Sequence, residues 1–162
     1  MIEYRVGNMF EQLPENKYIV IPHIVNDIGA WGAGFVLALN KYFPKAKEDY
    51  LSWVKGDGVF GLGSARGTQV KENVSVFHMC AQSGTKSVNN PKPIRYLALA
   101  SCLQAVANFE LSDYEIHAPA FGTDLAGGDW SVIRPLVEEA FVNVKHVYIY
   151  TLTQEQMDKI QT

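Results

Sequence analysis

Segments with the spacing of strands alternate with segments with the spacing of helices along this chain, and this alternation limits its fold more than any other feature. Six segments are rich in strand-forming residues: 2–6, 18–25, 68–70, 74–80, 114–120 and 144–152. Four carry apolar residues at helical spacing: 33–43, 45–54, 95–109 and about 133–141. Strands that alternate with helices form sheets with helices on both faces. The sequence therefore predicts a single α/β domain over residues 1–162, a three-layer α/β/α fold with a mixed central sheet.

Two prolines modify these predictions. Pro22 cannot donate a hydrogen bond to a neighbouring strand, so we expect segment 18–25 to lie at a sheet edge or to end there. Pro135 falls inside the last long helical pattern, and we expect that helix to begin at Pro135 after a looser turn. Asp129, which precedes the pattern, has the side chain of a helix N-cap. The tail up to Thr162 predicts one more short helix.

Composition and charge exclude several classes of protein. The 162 residues include 14 basic and 17 acidic side chains, a net charge of −3, so no surplus of positive charge is available for an extended nucleic-acid surface. No apolar run reaches the roughly 18 residues of a membrane span, and the first residues lack the layout of a signal peptide. Cys80 and Cys102 are too few for a disulfide framework and are expected to be buried free thiols. These features predict a cytoplasmic protein without a membrane partner.

Three polar segments each follow a predicted strand, at the position where open α/β sheets bind their ligands. Segment 26–34 contains three glycines and enters a helix, and segment 122–130 also leads from a strand to a helix through a pair of adjacent glycines. Glycine lets backbone N–H groups approach a ligand closely, and the N-terminus of a helix favours phosphate. Two such loops predict a diphosphate between them, although neither matches the dinucleotide-binding or P-loop spacing. Segment 80–86 is either the edge of a pocket, with Gln82, Ser83 and Lys86, or a solvated loop.

Histidine and cysteine side chains offer little support for a metal site. No spacing of His, Cys and Asp has the pattern of metal ligands, so neither a metal nor another cofactor is predicted. His23 and His117 each lie in a predicted strand, where a histidine is usually hydrogen-bonded to its neighbours. A general-base role for His23 stays open.

Three landmarks together resemble those of a macro domain. They are Gly7-Asn8-Met9-Phe10 after the first strand, the loop from Val25 through Gly34, and the loop from Gly122 to Trp130. Their order, their intervals and the closing strand at 148–152 are similar to that family over essentially the whole chain. Macro domains bind ADP-ribose, and some remove ADP-ribose from macromolecules or a phosphate from ADP-ribose 1''-phosphate. The loops look most like those of a phage and bacterial branch associated with ADP-ribose 1''-phosphate.

The resemblance implies a set of ligand contacts. Asn8 stands at the position of the family's adenine-binding aspartate, and Met9 would supply a neighbouring backbone contact. The other substrate-binding residues that the resemblance implies are Gly32, Ala33 and Gly34 in the first loop, Gln82 in the third segment, and Thr123, Leu125, Ala126, Gly127 and Gly128 in the second loop. Asp124 stands where the family commonly has glycine, and we expect its carboxylate to turn away from the diphosphate.

The resemblance also implies the catalytic residues. Asn26 would face the distal ribose and orient it or a water molecule. The resemblance does not choose the base, and we expect Asp27 or His23 to act as one. The branch that cleaves ADP-ribose from proteins or DNA uses a lysine and an aspartate, which Gln82 and Ala126 replace here. Glutamine cannot form a lysine-type adduct with the opened ribose, so we expect little activity of that kind.

Taken with the resemblance, these features predict a protein that binds ADP-ribose and hydrolyses ADP-ribose 1''-phosphate to ADP-ribose. Three alternatives stay open: a non-catalytic reader of ADP-ribose or ADP-ribosylated macromolecules, a de-ADP-ribosylating hydrolase, and a nucleotide-binding α/β protein of another family. The first two would use the same cleft as the phosphatase, so the sequence alone does not separate them.

Overall fold

Six strands and five helices alternate in the computed structural model, which describes residues 2–109 and 113–162. The strands are β1 (Ile2–Val6), β2 (Ile19–Asn26), β3 (Ala65–Lys71), β4 (Val74–Gln82), β5 (Glu115–Pro119) and β6 (His146–Thr151). The helices are α1 (Phe35–Tyr42), α2 (Lys45–Val54), α3 (Tyr96–Ala107), α4 (Trp130–Ala140) and α5 (Gln154–Gln161), and a short 3-10 helix (Met9–Glu11) follows β1. None of the helices in these two ranges has both the length and the hydropathy needed to cross a membrane.

The strands form one mixed sheet in the order β1-β6-β5-β2-β4-β3. Neighbouring strands are parallel except for β3 and β4, which are antiparallel. Because the other strands run in one direction, their carboxyl ends lie at one edge of the sheet, and the connections that leave β2, β4 and β5 begin there. The predicted α/β fold with a mixed central sheet is confirmed.

Helices cover both faces of the sheet. On one face α3 and α4 pack through buried side chains such as Leu99 and Ile133. On the other face α1 and α2 pack, and Leu39 of α1 is fully buried there. β2 contributes to both layers, with Val20 in the first core and Ile21 in the second. Full burial of each such side chain stabilises the fold by about 1.5–3 kcal/mol.

β2 is a central strand, and the expectation that Pro22 ends it or places it at an edge is wrong. The strand continues to Asn26, with Pro22 in its middle. Its pairing with β5 is confined to Ile19 and Val20, ahead of the proline, whereas its pairing with β4 continues past it. The strand therefore loses its backbone hydrogen bonds to β5 beyond the proline but keeps those to β4. Burial on both faces keeps it inside the sheet.

α4 begins at Trp130, so the prediction of a start at Pro135 is also wrong. The side chain of Asp129 accepts the N–H of Ser131 at 2.9 Å, which confirms Asp129 as the N-cap. Trp130 and Ile133 are buried, and their packing together with the cap outweighs the one hydrogen bond that Pro135 cannot make. The short helix predicted in the tail is α5.

Both cysteines are buried and free, as the sequence predicts. Burial raises the pKa of Cys80 and of Cys102 to about 12. Both thiols are therefore un-ionised near neutral pH and act as small apolar side chains in the core.

Gly67 on β3 leaves the space that the ring of Phe77 on β4 occupies. A Cβ at Gly67 would lie 2.6 Å from Phe77 Cζ. We expect Gly67→Ala to lower the free energy of unfolding by about 1–3 kcal/mol, because the ring must leave a packed position. Gly61→Ala is the matched control, since a Cβ there meets nothing within 4 Å beyond its chain neighbours. Urea denaturation followed by circular dichroism measures both, and equal stability of the two variants would contradict this packing.

Candidate functional site

Three loops meet at the carboxyl edge of the sheet and surround the candidate site. Loop 1 (27–34) follows β2, loop 2 (120–129) follows β5, and loop 3 (83–95) follows β4. A Cβ at Gly34 of loop 1 would lie 3.2 Å from Leu125 Cδ1 of loop 2, so these two loops are in contact. The three polar segments that the sequence singled out are therefore neighbours in the fold.

Loop 3 is joined to both of the other loops by hydrogen bonds. On one side, Asp27 Oδ1 of loop 1 accepts the backbone N–H of Gly84 at 2.7 Å. On the other side, the backbone N–H of Ile94 donates to the carbonyl oxygen of Ala126 in loop 2 at 3.1 Å. Hydrogen bonds therefore join the three loops, and the space between them is the candidate cleft. Gln82 and Gly84 of segment 80–86 take part in these bonds, whereas Thr85 and Lys86 are exposed.

The side chain of Asn26 holds loop 1 in place. Its Oδ1 accepts the backbone N–H groups of Ile28 at 3.1 Å and Ala30 at 3.0 Å, and its Nδ2 donates to the carbonyl oxygen of Ala30 at 2.8 Å. The hydroxyl of Tyr50 on α2 donates to the Asn26 carbonyl oxygen at 2.7 Å and lies 3.1 Å from Oδ1. Burial raises the pKa of Tyr50, so the hydroxyl keeps its proton. Asn26 is 7% exposed, and one amide N–H is left for a ligand.

Asp27 lies where loop 1 meets the end of β4. Its backbone N–H donates to the carbonyl oxygen of Gln82 at 3.0 Å, and Gln82 Nε2 donates to the carbonyl oxygen of Gly84 at 3.0 Å. Whereas Oδ1 of Asp27 is bonded to Gly84, Oδ2 has no hydrogen-bond partner in the described part of the chain. The half-buried carboxylate therefore has one fixed oxygen and one free oxygen.

Unbonded backbone N–H groups collect where loops 1 and 2 meet. Gly34 is the N-cap of α1 and has a φ of 76°, a conformation that favours glycine. The N–H groups of Phe35 and Val36, in the first turn of α1, have no acceptor among the described residues, and the same is true of Leu125 and Ala126. These donors and the positive end of the helix dipole form a surface suited to an anion.

Gly127 and Gly128 serve the internal packing of loop 2. The N–H of Gly127 donates to the carbonyl oxygen of Asp124 at 3.0 Å, and that of Gly128 donates to the carbonyl oxygen of Gly122 at 2.6 Å. A Cβ at Gly127 would lie 2.8 Å from the carbonyl oxygen of Pro91 in loop 3. The N–H groups of these two glycines are therefore already used within the protein.

Other residues that the sequence assigned to the ligand lie at the rim of the cleft. Gly32 and Ala33 on loop 1 are exposed, and so are Asp124 and Leu125 on loop 2. Thr123 Oγ1 donates to a backbone carbonyl of its own loop at 2.6 Å and so stabilises the turn. The carboxylate of Asp124 makes no hydrogen bond with any described residue, and its orientation relative to a diphosphate stays a prediction.

Asn8 and Met9 lie at the same sheet edge, at the end of β1. Asn8 Oδ1 accepts the backbone N–H of Phe10 at 3.0 Å and caps the 3-10 helix, while its Nδ2 donates to the hydroxyl of Tyr42 at 3.0 Å. The side chain of Met9 is 4% exposed, which leaves only its backbone for a ligand. The adenine contact assigned to this pair stays a prediction.

His23 lies in the core of the protein and not beside the cleft. It precedes Asn26 by three residues of β2, about 10 Å along the strand, and its side chain is 1% exposed. Its Nε2 is 2.7 Å from His78 Nδ1, and the rings of Trp31 and Phe35 pack against it. Burial, together with the neighbouring His78, lowers the pKa of His23 well below 6.5. The structure therefore does not bring His23 together with Asn26 as a base.

His117 is a hydrogen-bonded core histidine, as expected for a strand position. Its Nε2 is 2.9 Å from Glu115 Oε1, and its Nδ1 is 2.8 Å from the hydroxyl of Tyr150. Across the described residues, no group of three or more His, Cys, Asp or Glu side chains is arranged to hold a metal ion.

Sequence reasoning missed three residues that shape the site. Tyr50 falls on the buried face of a predicted helix, and that pattern does not reveal that its hydroxyl holds Asn26. Gly84 and Ile94 contribute through backbone N–H groups, which every residue except proline carries, so no sequence signal marks them.

Solved structures similar to this chain cover almost all of it, although no family model matches it. A protein of unknown function from Bacteroides thetaiotaomicron has a TM-score of 0.86 and 35% identity, over 94% of this chain and 98% of that one. The macrodomain protein of Streptomyces coelicolor has a TM-score of 0.79 and 32% identity, over 94% of this chain and 100% of that one. DarTG of Thermosipho africanus, in complex with ADP-ribose, has a TM-score of 0.73 and 15% identity over 99% of this chain and 46% of that one, which shows the fold alone.

Among curated proteins, the ADP-ribose 1''-phosphate phosphatase of Candida albicans is 35% identical over 51 residues. That stretch is 31% of this chain and about a third (33%) of the phosphatase. The similarity to the Streptomyces protein, by contrast, extends over the whole of that macrodomain and nearly all of this chain. This chain therefore belongs to the macrodomain family.

Proposed function

We propose that this macrodomain binds ADP-ribose in the cleft between loops 1 and 2 and hydrolyses ADP-ribose 1''-phosphate to ADP-ribose there. The observation that carries the proposal is the contact between the start of α1 and loop 2, which gathers unbonded N–H groups around Gly34 and Leu125. A diphosphate accepts hydrogen bonds from such donors, and the helix dipole favours its charge. The name of the similar Candida phosphatase contains ADP-ribose 1''-phosphate, and that of the DarTG complex contains ADP-ribose.

In this proposal the adenine end of the ligand lies at Asn8 and the distal ribose lies at Asn26. These residues follow or end two parallel strands, β1 and β2, at the same sheet edge. Three interstrand spacings separate β1 from β2, a span of about 14 Å. That span suits an extended diphosphate between two riboses, with the N–H groups of α1 and loop 2 along its course.

Asp27 is the proposed base. With Oδ1 fixed by Gly84, Oδ2 is free to take a proton from a water molecule. The water oxygen attacks the phosphorus, the bond from phosphorus to the 1''-oxygen breaks, and that oxygen leaves with the electron pair and takes a proton from solvent. ADP-ribose and inorganic phosphate result. His23 has no part in this step, because its ring is buried and bonded to His78.

A non-catalytic reader of ADP-ribose is the second candidate. Most of the Asn26 amide and one oxygen of Asp27 are engaged in hydrogen bonds that hold loops 1 and 3, a use that serves binding without turnover. Removal of ADP-ribose from macromolecules has less support. Neither Gln82 nor Ala126 offers an amine or a carboxylate, and Gln82 Nε2 is bonded within loop 3.

We also propose that the protein works in the cytoplasm on a small nucleotide and not on a nucleic-acid polymer. Two buried free thiols suit a reducing compartment. A net charge of −3 does not suit a surface that follows a phosphate backbone.

Wild-type protein should bind ADP-ribose with a dissociation constant of about 1 µM, and Gly34→Val should abolish this binding. The branched side chain would meet Leu125 at the anion surface and would strain a backbone with a φ of 76°. Gly61→Val is the matched control and should bind normally, because Gly61 lies outside the three loops and a Cβ there has open space. Calorimetric titration with ADP-ribose, with ATP and NAD as comparison ligands, measures the effect. Absence of binding by the wild type would refute the proposed ligand.

Gly127→Val is a poor probe of the anion surface, because its clash with Pro91 would also disturb loop 2.

Asp27→Asn should lower phosphate release from ADP-ribose 1''-phosphate by about 100-fold or more and leave the affinity for ADP-ribose within about threefold. The amide oxygen can still accept the Gly84 N–H, so the loop contact is kept while the base is lost. Phosphate release and calorimetry on the same preparations separate the two effects. Wild-type protein that binds ADP-ribose without releasing phosphate would favour the reader, and robust release of ADP-ribose from modified protein would favour the de-ADP-ribosylating hydrolase.

Asn26→Ala should weaken binding as well as turnover. The alanine cannot hold the N–H groups of Ile28 and Ala30, so loop 1 loses the bonds that set its shape. We expect a loss of about 100-fold in phosphate release and of at least about tenfold in affinity. An unchanged affinity would mean that loop 1 keeps its shape without Asn26.

A further inference from the structure

Four buried side-chain atoms that lack a hydrogen-bond partner lie in one cluster beneath loop 1. They are His23 Nδ1, Trp31 Nε1, Asp49 Oδ2 and His78 Nε2, and they are the buried atoms of this kind that the described residues contain. The side chains are contiguous, because His23 Nε2 is 2.7 Å from His78 Nδ1 and His78 Nε2 is 3.4 Å from Asp49 Oδ2. Buried polar groups are normally paired, so a cluster of exceptions calls for an explanation.

The series of polar contacts that runs from Asp49 through His78 to His23 has a fixed direction, although the first contact, at 3.4 Å, is not a hydrogen bond. Burial opposes ionisation of Asp49, but His78 and Arg66 outweigh it and lower its pKa, so the carboxylate is an acceptor only. His78 therefore presents Nε2–H to Asp49 and keeps Nδ1 as an acceptor. His23 must then donate its Nε2–H to His78, which leaves His23 Nδ1 as a bare acceptor at the end of the series.

Trp31 carries the complementary group. Its indole N–H is a donor with no acceptor capacity, and it is unpartnered and buried. The indole ring meets the rings of His23 and His78 edge-on at centroid distances of 5.6 Å and 5.9 Å. It also packs at 5.4 Å on Tyr50, whose hydroxyl holds Asn26. Trp31 is therefore the residue of loop 1 that packs against His23, at the end of the series Asp49, His78 and His23.

We propose that Asp49, His78 and His23 are positioning residues for loop 1. They present the unprotonated Nδ1 of His23 to the indole N–H of Trp31, and this acceptor is lost when His23 takes up a proton. The contact is made through one bridging water molecule, because neither His23 Nδ1 nor Trp31 Nε1 has a direct hydrogen-bond partner. The effect on the ligand rests on the proposed function, whereas the effect on Trp31 does not.

Acid should release Trp31. A proton on His23 Nδ1 turns the acceptor into a donor that faces the indole donor, and it adds a charge in the core. Because burial and His78 hold the pKa of His23 well below 6.5, the His23 ring is neutral near pH 7, and the release occurs on the acid side of pH 6.5. The loss of stability has the same sign, since a lowered histidine pKa means that the unfolded chain binds more protons.

Other polar or titratable groups lie on the elements around the pair. Tyr50 on α2 packs against His78, and the uncharged Phe35 on α1 packs against His23. Arg66 on β3 donates to Asp49, Cys80 lies two residues beyond His78 on β4, and His117 lies on β5, which pairs with β2. Of these, His117 also titrates on the acid side, because burial lowers its pKa despite the opposing effect of Glu115. The experiment must therefore distinguish His23 from His117.

The indole N–H resonances of ¹⁵N-labelled protein, followed from about pH 8 to about pH 5, report on this contact without any ligand. Trp53 and Trp130 are internal controls, since their indole N–H groups donate to the Val59 carbonyl oxygen at 2.8 Å and to the Tyr4 hydroxyl at 3.1 Å. Trp31→Phe identifies the third resonance. We expect the Trp31 resonance to move in acid while the other two stay in place. A Trp31 resonance that does not move, or that moves together with both controls, would overturn the proposal.

The dissociation constant for ADP-ribose, measured at the two ends of that pH range, tests the effect on the cleft. It should rise by about tenfold in acid for the wild type. His23→Gln, which places a non-titrating acceptor in the series, should abolish this pH dependence, and the matched control His117→Gln should keep it. Persistence of the dependence in His23→Gln, or a flat wild-type profile beside a moving Trp31 resonance, would overturn the coupling. A wild type that fails to bind at every pH would refute the proposed function and leave the resonance test of Trp31 standing.

Discussion

β2 is buried on both faces between two layers of helices, and the geometry of the cleft follows from where this strand ends. Val20 packs in one core while Ile19 and Ile21 pack in the other, so apolar side chains alone would not fix the register. The polar residues do fix it. A shift by one residue would move His23 to the opposite face and leave it without His78, at the cost of an unpaired buried polar group. With the register set, Asn26 ends the strand at the cleft.

After the end of β2, the side chain of Asn26 supplies hydrogen bonds to the backbone of loop 1, as a neighbouring strand supplies them to β2. Buried backbone groups need hydrogen-bond partners, and loop 1 leaves the sheet before its N–H groups have found them. The Asn26 amide supplies an acceptor to Ile28 and Ala30, and Tyr50 in turn fixes the orientation of that amide. Each bond contributes only about 0.5–1.5 kcal/mol, but together they select one loop shape from many. The inward-facing side chains of Asn26 and Tyr50 therefore set the shape of the loop that leads to the N–H groups at the start of α1.

Local features of the sequence could be predicted, and features that depend on distant partners could not. The alternation of elements, the cap at Asp129 and the two glycine loops depend on properties that lie within a few residues. The behaviour at Pro22 could not be predicted, because it depends on which neighbouring strand stops pairing. For the same reason the partners of Asn26 and Asp27 were hidden, since they lie 24 and 57 residues away along the chain. Packing between residues distant in the sequence determines which hydrogen-bond partners a polar side chain has.

α1 connects the two ends of the cleft mechanically. Its amino end, at Gly34, contacts loop 2, and its carboxyl end carries Tyr42, whose hydroxyl accepts the Nδ2–H of Asn8. An aspartate at Asn8 could still cap the 3-10 helix, but it could not donate to Tyr42. With an aspartate there, the Tyr42 hydroxyl would have to donate to the carboxylate, so the asparagine keeps the contact with α1 without a negative charge. A helix of eight residues is about 12 Å long, so the contact at Asn8 and the anion surface at Gly34 lie at the two ends of one short helix.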